Sequence, residues 1–267
     1  MRPIGVVGLG VVGGTVARAF EQAGHPVRRY DAYQRTGAPE DMAGCEVVFL
    51  CVPTPNGRDG AYRLDEVWSA LRCLDPHLDA GTIVVVKSTV PPGTNDRLAA
   101  AFPHLVFASV PEFLVADRPM ETFTRPDRVV VGCRSRAAGG RVGELMELVA
   151  PCAPIVFCRP AEAELIKLSA NAMLAAKVTM ANELANVCER FGVDWARVQA
   201  GVGLDRRIGP DHLSVTPERG FGGTCLPKDL TGLISAARAS GYVPPVLEEI
   251  SEFNRRIRRD RKLRSAS

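Results

Sequence analysis

Residues 4–13 read IGVVGLGVVG, an apolar run that leads directly into three closely spaced glycines. The run Ile4–Val7 predicts a buried β-strand, and Gly8, Gly10 and Gly13 fit the G-x-G-x-x-G pattern of a strand-to-helix turn. In that context the first glycine permits a tight turn, the second lets a pyrophosphate approach the backbone, and the third lets the helix pack on the strand. The stretch therefore predicts a domain that binds a dinucleotide.

Similar apolar runs recur through the first 158 residues, separated by amphipathic segments such as Gly13–Ala23 and Leu64–Leu74. Short apolar strands that alternate with helices are typical of α/β proteins with a doubly wound parallel sheet. We therefore expect a Rossmann-type domain over residues 1–158. Its further strands are predicted at Val27–Tyr30, Val47–Val52, Thr82–Val86, Val106–Ser109 and Arg128–Val131.

The second part of the chain has a helical pattern throughout, and we expect residues 159–267 to form an all-helical domain. A long helix is predicted over residues 162–191, with Gly192 as its stop signal. Shorter helices are predicted from Asp194 to Val202, over Pro227–Ser240 and from Pro244 onward.

The composition excludes several classes of protein. Of the 267 residues 46% are hydrophobic, but no apolar run approaches the roughly 20 residues of a membrane helix, so we expect no membrane association. The first residues lack a signal-peptide pattern, so we expect a cytoplasmic location. The eight cysteines are irregularly spaced, which favours free thiols, and none of the four histidines has a metal-ligand spacing. We expect no metal site.

The net charge of +3 is unevenly distributed. Residues 255–264 read RRIRRDRKLR and carry a net charge of +6, whereas the rest of the chain is slightly acidic. This basic segment contains no aromatic residue for stacking on bases, so it indicates a solvated helix end rather than a nucleic-acid site.

Asp31 follows the second predicted strand, 18 residues after Gly13. A carboxylate there accepts hydrogen bonds from the adenosine ribose and repels a 2′-phosphate, which favours NAD over NADP. The alternative is that Asp31 only ends a strand and starts a turn. Residues at the carboxyl ends of parallel strands face the ligand crevice, which adds the segments CVPTP and KSTVPPGT. The expected NAD-binding residues are Gly8, Gly10, Val11, Val12, Gly13, Asp31, Val52, Pro53, Thr54, Ser88 and Thr89.

Two further groups of polar residues suggest catalysis. Glu112 lies in VPEFL at the end of the fifth predicted strand, where its carboxylate has either a functional role or a helix-capping role. Lys167 and Asn171 share one face of the long helix in an apolar setting. They could stabilise an oxyanion together, or Lys167 could simply extend its charged end to water.

Residues 220–229 read GFGGTCLPKD and place Cys225 on a glycine-rich loop just before a predicted helix. A helix N-terminus and a nearby lysine, here Lys228, both favour a thiolate. The glycines allow a substrate to lie against the backbone, and Asp229 could stabilise the helix N-terminus or orient a water or a lysine. A nucleophilic thiol beside an NAD site suggests oxidation of an aldehyde through a thioester.

Taken in order, the segments GLGVVGG, CVPTP, KSTVPPGT, PEFL, ELIKLSANAMLA, GLDRRIG and GFGGTCLPKD resemble the UDP-glucose/GDP-mannose 6-dehydrogenase family over nearly the whole chain. The resemblance implies oxidation of a primary alcohol of a sugar to a carboxylate with two NAD. It assigns the catalytic cysteine to Cys225 and oxyanion contacts to Lys167 and Asn171. The hydrolytic step falls to Thr89 and Glu112, with Asp229 behind the cysteine.

The same resemblance implies a homodimer built on the long helix over residues 162–191. We expect a small sugar or nucleoside substrate and, from the charge pattern, no nucleic acid. It implies that Arg207 reaches into a neighbouring subunit's site. The expected substrate-binding residues are Phe113, Leu114, Lys167, Asn171, Arg207, Phe221, Gly222 and Gly223.

Three departures from the family pattern stand out. Ala116 replaces a second glutamate, with Asp117 one place further on, and the segment between RIG and GFGG is about two residues longer. Family members also continue into a C-terminal domain that binds the nucleotide, whereas this sequence stops at Ser267. Either the sequence is part of a longer protein, or it is a short form that lacks this domain and whose substrate need not be a full sugar nucleotide.

Two alternatives remain open. A two-electron dehydrogenase of the 3-hydroxyacid type shares the glycine pattern and the lysine–asparagine pair but does not need Cys225. A non-catalytic subunit that binds NAD and depends on a partner is the other.

Overall fold

The computed structural model describes residues 2–264, and the side chains of residues 2–259. Within that range the chain forms seven β-strands of four or five residues each. They are β1 (Ile4–Val7), β2 (Val27–Tyr30), β3 (Val47–Leu50), β4 (Ile83–Val86), β5 (Val106–Ser109), β6 (Val129–Cys133) and β7 (Ile155–Cys158).

Nine α-helices lie in the same described range. Those in the first part of the chain are α1 (Val11–Gln22), α2 (Asp65–Leu74), α3 (Thr94–Ala101), α4 (Pro119–Thr124) and α5 (Arg136–Val149). They are followed by α6 (Pro160–Arg190), α7 (Trp195–Gly203), α8 (Leu226–Ala239) and α9 (Pro245–Arg264).

The strands form one sheet in the order β2-β1-β3-β4-β5-β6-β7, and every pair is parallel except β5 with β6. Successive residues of β1, β3 and β4 belong to two apolar clusters on opposite faces of the sheet. Helices α1, α4 and α5 contribute to one cluster, and α2 and α3 contribute to the other. This arrangement confirms the predicted doubly wound α/β domain.

The boundaries differ from the expectation in a few places. The third strand ends at Leu50 rather than Val52, and the sixth extends to Cys133 rather than Val131. Strand β7 was not predicted at all. It lies at the edge of the sheet with Val156 and Phe157 exposed, so it lacks the continuous burial that marks the inner strands.

The chain divides into two compact units. Unit 1 comprises the residues up to Pro55 together with Tyr62–Lys167, and contains the sheet. Unit 2 comprises Asn56–Ala61 and the residues from Leu168 onward, and it is helical apart from its loops. The predicted boundary after residue 158 stays a prediction. Within residues 2–264 no helix is long and apolar enough to cross a membrane.

Unit 2 has two small apolar cores. One surrounds Phe221 and Leu230 and includes Ala172 and Ala175 of α6, and the other surrounds Trp195 and Leu213. Asp194 caps α7 as predicted, because its carboxylate accepts a hydrogen bond from the Ala196 N–H at 3.0 Å.

Within unit 1 an ion pair joins α5 to the residue before β3. The guanidinium of Arg141 donates to both carboxylate oxygens of Glu46, at 2.9 and 3.0 Å. These hydrogen bonds hold the pKa of Glu46 below its ordinary value. A lowered folded-state pKa stabilises the fold above the ordinary pKa, and that stabilisation is lost as the pH falls through the lowered value.

We expect Arg141→Met to lower the free energy of unfolding at neutral pH by no more than about 1 kcal/mol, because both groups are about one-third exposed. The difference from wild type should shrink as the pH falls below 4.5, the ordinary pKa of a glutamate side chain, because the pKa of Glu46 is lowered from it. Denaturant unfolding over a pH series measures it. Arg18→Met is the control, since Arg18 is exposed and donates to the Gly14 carbonyl. A difference that is independent of pH would contradict the prediction.

Candidate functional site

The glycine-rich turn between β1 and α1 has the geometry of a phosphate cradle. Gly8 has a positive φ of 84°, and a side chain there would lie 2.6 Å from the Cys51 carbonyl oxygen. A Cβ on Gly13 would lie 1.8 Å from the Gly8 carbonyl oxygen. A Cβ on Gly10 would meet nothing within 4 Å, and the neighbouring Val11 is 63% exposed. The residues therefore fit a pyrophosphate that approaches the start of α1.

Asp31 is tied to this turn. It is buried, and its carboxylate accepts hydrogen bonds from the backbone N–H groups of Leu9 at 2.6 Å, Tyr33 at 2.9 Å and Gln34 at 2.8 Å. Burial acts to raise the pKa of Asp31, but these three backbone donors outweigh it and hold the pKa below its ordinary value. Asp31 thus organises the turn after β2, as the alternative interpretation expected. Its contact with a ribose stays a prediction.

The loops after β3 and β4 are joined by hydrogen bonds between residues of the predicted NAD set. Thr54 is buried and donates from its hydroxyl to the Thr89 carbonyl oxygen at 2.7 Å. Ser88 donates in the opposite direction, to the Val52 carbonyl oxygen at 2.7 Å. These two hydroxyls therefore hold neighbouring loops together at the carboxyl edge of the sheet.

Lys87 is a buried cation at the same edge that the sequence interpretation missed. It is 3% exposed, and its Nζ lies 3.4 Å from Glu112 Oε2 and 5.4 Å from the ring centre of Phe123. Glu112 also accepts a hydrogen bond from the Leu114 N–H. The sequence did contain a signal for Lys87, because this lysine directly follows the apolar run of β4 and therefore lies at the carboxyl end of that strand.

Phe113 stands between two cations of unit 1. Lys167 Nζ lies 5.3 Å from the centre of its ring, and the Arg128 guanidinium lies 4.2 Å from that centre. Lys167 is 9% exposed, so its ammonium does not extend freely to water. The structure thus brings Lys167 to Phe113, two residues of the predicted substrate set.

In unit 2 a buried polar group links α6 to α8. Asn171 Nδ2 donates to Asp229 Oδ2 at 2.6 Å, and Lys228 Nζ lies 2.7 Å from Asp229 Oδ1. Asp229 is 1% exposed, so its carboxylate is enclosed with these partners. Of the roles weighed from the sequence, the geometry matches that of orienting a lysine.

Cys225 is exposed and immediately precedes the first residue of α8. Its backbone carbonyl accepts the Asp229 N–H at 2.8 Å, so Asp229 lies one turn into the helix that begins after the thiol. Burial raises the pKa of the Cys51 thiol to about 12. Cys225 is therefore the candidate nucleophile, whereas Cys51 has the surroundings of a packing residue.

The remaining predicted residues occupy more exposed positions. Arg207 is exposed and donates to both carboxylate oxygens of Asp205, at 3.1 and 2.7 Å. Ala116 and Asp117 are both exposed. Among the described side chains of residues 2–259, no three His, Cys, Asp or Glu are grouped so as to hold a metal ion.

Two family models match the chain. Residues 33–149 match the NAD binding domain of the UDP-glucose/GDP-mannose dehydrogenase family, and residues 161–256 match its central domain. The chain belongs to the UDP-glucose/GDP-mannose dehydrogenase family. The match to the family's NAD binding domain confirms NAD as the predicted cofactor.

Named relatives agree with this family. A UDP-glucose 6-dehydrogenase of Haloferax volcanii is 33% identical over 298 residues, with 94% of this chain and 69% of that protein covered. A UDP-glucose 6-dehydrogenase of Rhizobium meliloti is 40% identical over 209 residues, with 74% of this chain and 47% of that protein covered. The chain therefore spans about half to two thirds of the length of these relatives.

A solved structure supports the same family. The UDP-glucose dehydrogenase of the archaeon Pyrobaculum islandicum superposes with a TM-score of 0.87 at 31% identity. The alignment covers 96% of this chain and 68% of that one. The predicted family membership and fold class are both confirmed.

Adjacent glycines of α1 offer a matched test of the cofactor site. We expect Gly13→Ala to lower NAD affinity at least tenfold and stability by about 1–3 kcal/mol, because the new Cβ collides with the Gly8 carbonyl. Gly14→Ala should leave NAD affinity unchanged, because its Cβ would lie 3.4 Å from the Leu9 carbonyl oxygen. Calorimetric titration with NAD and thermal unfolding measure both. Equal NAD affinity in the two variants would contradict the prediction.

Proposed function

We propose that the protein is an NAD-dependent oxidoreductase that converts a primary alcohol of a sugar or nucleoside to a carboxylate in a four-electron oxidation. One observation carries the proposal. In a chain of this dehydrogenase family, an exposed thiol, Cys225, stands at the start of α8 with the buried Asp229–Asn171 pair one turn behind it. A packing cysteine has no need of an exposed position backed by a buried carboxylate.

The overall reaction consumes one alcohol, one water and two NAD, and yields one carboxylate, two NADH and three protons. Bound NAD supplies the hydride acceptor in both oxidation steps. The first step converts the alcohol to an aldehyde. The Cys225 sulfur then forms a bond to the aldehyde carbon, giving a thiohemiacetal whose loss of hydride leaves a thioester. Water cleaves the carbon–sulfur bond and releases the carboxylate and the thiol.

The chain's own residues have distinct roles in this proposal. Lys167 and Asn171 would donate to the oxygen of the reacting carbon, where negative charge develops. Asp229 would hold Asn171 and Lys228 in place, as supported by its contacts with both. Thr89 and Glu112 would serve the hydrolytic step, and the Lys87 ammonium beside Glu112 supports a carboxylate there.

A count of NADH per substrate separates this reaction from its alternatives. Limiting amounts of UDP-glucose, GDP-mannose, nucleosides, nucleotides and free or phosphorylated sugars would each be given with excess NAD. We expect two NADH per molecule of at least one compound, because aldehyde and carboxylate formation each release one hydride. One NADH per substrate would instead support the two-electron alternative. No turnover and no carboxylate without a second protein would support the partner-dependent subunit.

The cysteine itself gives the sharper prediction. With the responding compound, Cys225→Ser should lower carboxylate formation on the order of a thousandfold or more, since the nucleophile of a covalent intermediate is lost. Cys152→Ser is the matched control, because Cys152 is also exposed but lies in unit 1 after α5. NADH stoichiometry and mass-spectrometric detection of the product are the measurements. An active Cys225→Ser variant would rule out the thioester route.

We further propose that the protein is a homodimer formed along α6. An apolar stripe, formed by residues on one face of α6 and by Phe191 directly after the helix, supports this assembly. Its members at 7-, 4-, 3- and 4-residue spacing are Met173, Met180, Leu184, Val187 and Phe191, all of them exposed. An exposed apolar stripe of this length is unfavourable in water, and a second copy would cover it.

Met180→Glu tests the dimer, because Met180 is 59% exposed at the middle of the stripe. We expect the molar mass measured by light scattering during size-exclusion chromatography to fall from twice the chain mass to one chain mass. Leu148→Glu is the control, since Leu148 is 50% exposed on α5. A monomeric wild type, or a dimeric Met180→Glu variant, would contradict the proposal. A cytoplasmic location stays a prediction.

A further inference from the structure

Helix α9 of unit 2 forms hydrogen bonds with the loop that leads to Cys225. We call residues 219–225 the cysteine loop. Asn254 of α9 accepts the Phe221 N–H on its Oδ1 at 2.8 Å and donates from its Nδ2 to the Phe221 carbonyl oxygen at 3.0 Å. A side-chain amide that bonds both backbone groups of one residue fixes the direction as well as the position of the backbone. Asn254 is only 8% exposed, so these hydrogen bonds are sheltered from water.

Arg258 makes further contacts between α9 and the cysteine loop. It follows Asn254 by four residues and therefore lies on the same face of α9. Its Nη1 donates to the Arg219 carbonyl oxygen at 3.2 Å. The guanidinium also lies against Gly222, where an added Cβ would be 3.0 Å from Nη1. The side chains of Asn254 and Arg258 on α9 thus contact Arg219, Phe221 and Gly222 of the cysteine loop.

The first glycine of the loop is required by this contact. Gly220 has a positive φ of 59°, and a Cβ there would lie 2.3 Å from Asn254 Oδ1. Its N–H donates to Asn182 Oδ1 of α6 at 3.0 Å, and Asn182 is 1% exposed. The glycines at 220 and 222 therefore leave space for α9. Gly223 is different, because a Cβ there would meet nothing within 4 Å.

Phe221 anchors the loop between these contacts. Its ring is 4% exposed and packs with Ala172 and Ala175 of α6 and with Leu230 of α8. The backbone of the same residue is held by Asn254. The loop is consequently fixed on both sides of Phe221, only four residues before the thiol.

We infer that Asn254 and Arg258 are positioning residues that hold the cysteine loop, and with it Cys225, in the geometry for nucleophilic attack. The inference rests on the proposed role of Cys225 as the nucleophile. The cysteine loop contains three glycines among its seven residues and would otherwise sample many backbone conformations, each of which moves the thiol. The two side chains of α9 remove that freedom before substrate arrives.

Hydrogen exchange tests, without any substrate, whether Asn254 and Arg258 hold the cysteine loop in place. In peptides that cover residues 219–225, we expect Asn254→Ala to exchange at least about tenfold faster than wild type, because a buried backbone group loses its partner. Arg258→Met should show a smaller increase in the same peptides. Arg256→Met is the matched control, because Arg256 is exposed on α9 and pairs with Glu249. Peptides from α7, which lies elsewhere in unit 2, report whether each variant remains folded.

The consequence for the thiol is measured by alkylation with iodoacetamide, followed by peptide mass spectrometry. We expect the rate at Cys225 to change at least threefold in Asn254→Ala and Arg258→Met. Cys73 and Cys152, which are also exposed, are internal references whose rates should not change. On a substrate that is turned over, kcat should fall at least tenfold in both variants while NAD affinity stays at the wild-type value.

Each outcome decides the inference. Unchanged loop exchange in Arg258→Met and Asn254→Ala would show that α9 does not hold the loop. Faster exchange with an unchanged Cys225 alkylation rate and unchanged kcat would show that the contacts of α9 with the cysteine loop have only a structural role. If Asn254→Ala unfolds, Asn254→Asp replaces it, since it keeps one acceptor for the Phe221 N–H and loses the donor to the Phe221 carbonyl. If wild type turns over no substrate, the proposed function fails. Exchange and alkylation would still decide whether Asn254 and Arg258 hold the cysteine loop and position the Cys225 thiol.

Discussion

Parallel pairing of strands with both faces covered is the constraint on which the rest of unit 1 depends. Parallel strands must be joined by crossovers, and here helices cover each face, so the parallel strands β1, β3, β4 and β5 end at the same edge of the sheet. The polar residues that follow those strands therefore lie side by side. This explains why the hydroxyls of Thr54 and Ser88 join the loops after β3 and β4, and why Lys87 after β4 pairs with Glu112 after β5.

Unit 2 solves a different problem, which is how to hold a glycine-rich segment in one conformation. Backbone groups that are not part of a helix or a sheet need side-chain partners when they are buried. Asn182 and Asn254 supply them for Gly220 and Phe221, and Asn171 supplies a partner for the Asp229 carboxylate. Three asparagine amides on α6 and α9 thus organise the surroundings of the loop that carries Cys225.

The sequence was informative wherever a local pattern determines a local structure. The glycine pattern after β1 predicted the turn, because only glycine fits the positive φ of Gly8 and the close approach at Gly13. The sequence patterns predicted six of the seven strands seen in residues 2–264; β1, β3 and β4 are fully buried, whereas β2 lies at the edge of the sheet and is only partly buried. The edge strand β7 was missed although its residues IVFC form an apolar run; in the structure its Val156 and Phe157 are exposed.

The sequence by itself therefore determined the fold class, six of the seven strands in residues 2–264, and the residue types of a dinucleotide site and a reactive cysteine. The tertiary structure decided which of those residues meet. Lys87 with Glu112, Asn171 with Asp229, and Asn254 with Phe221 are separated by 25, 58 and 33 residues along the chain, and no local periodicity connects them. Such pairs depend on how strands and helices pack, because a hydrogen bond across that separation exists only after the chain has folded around it.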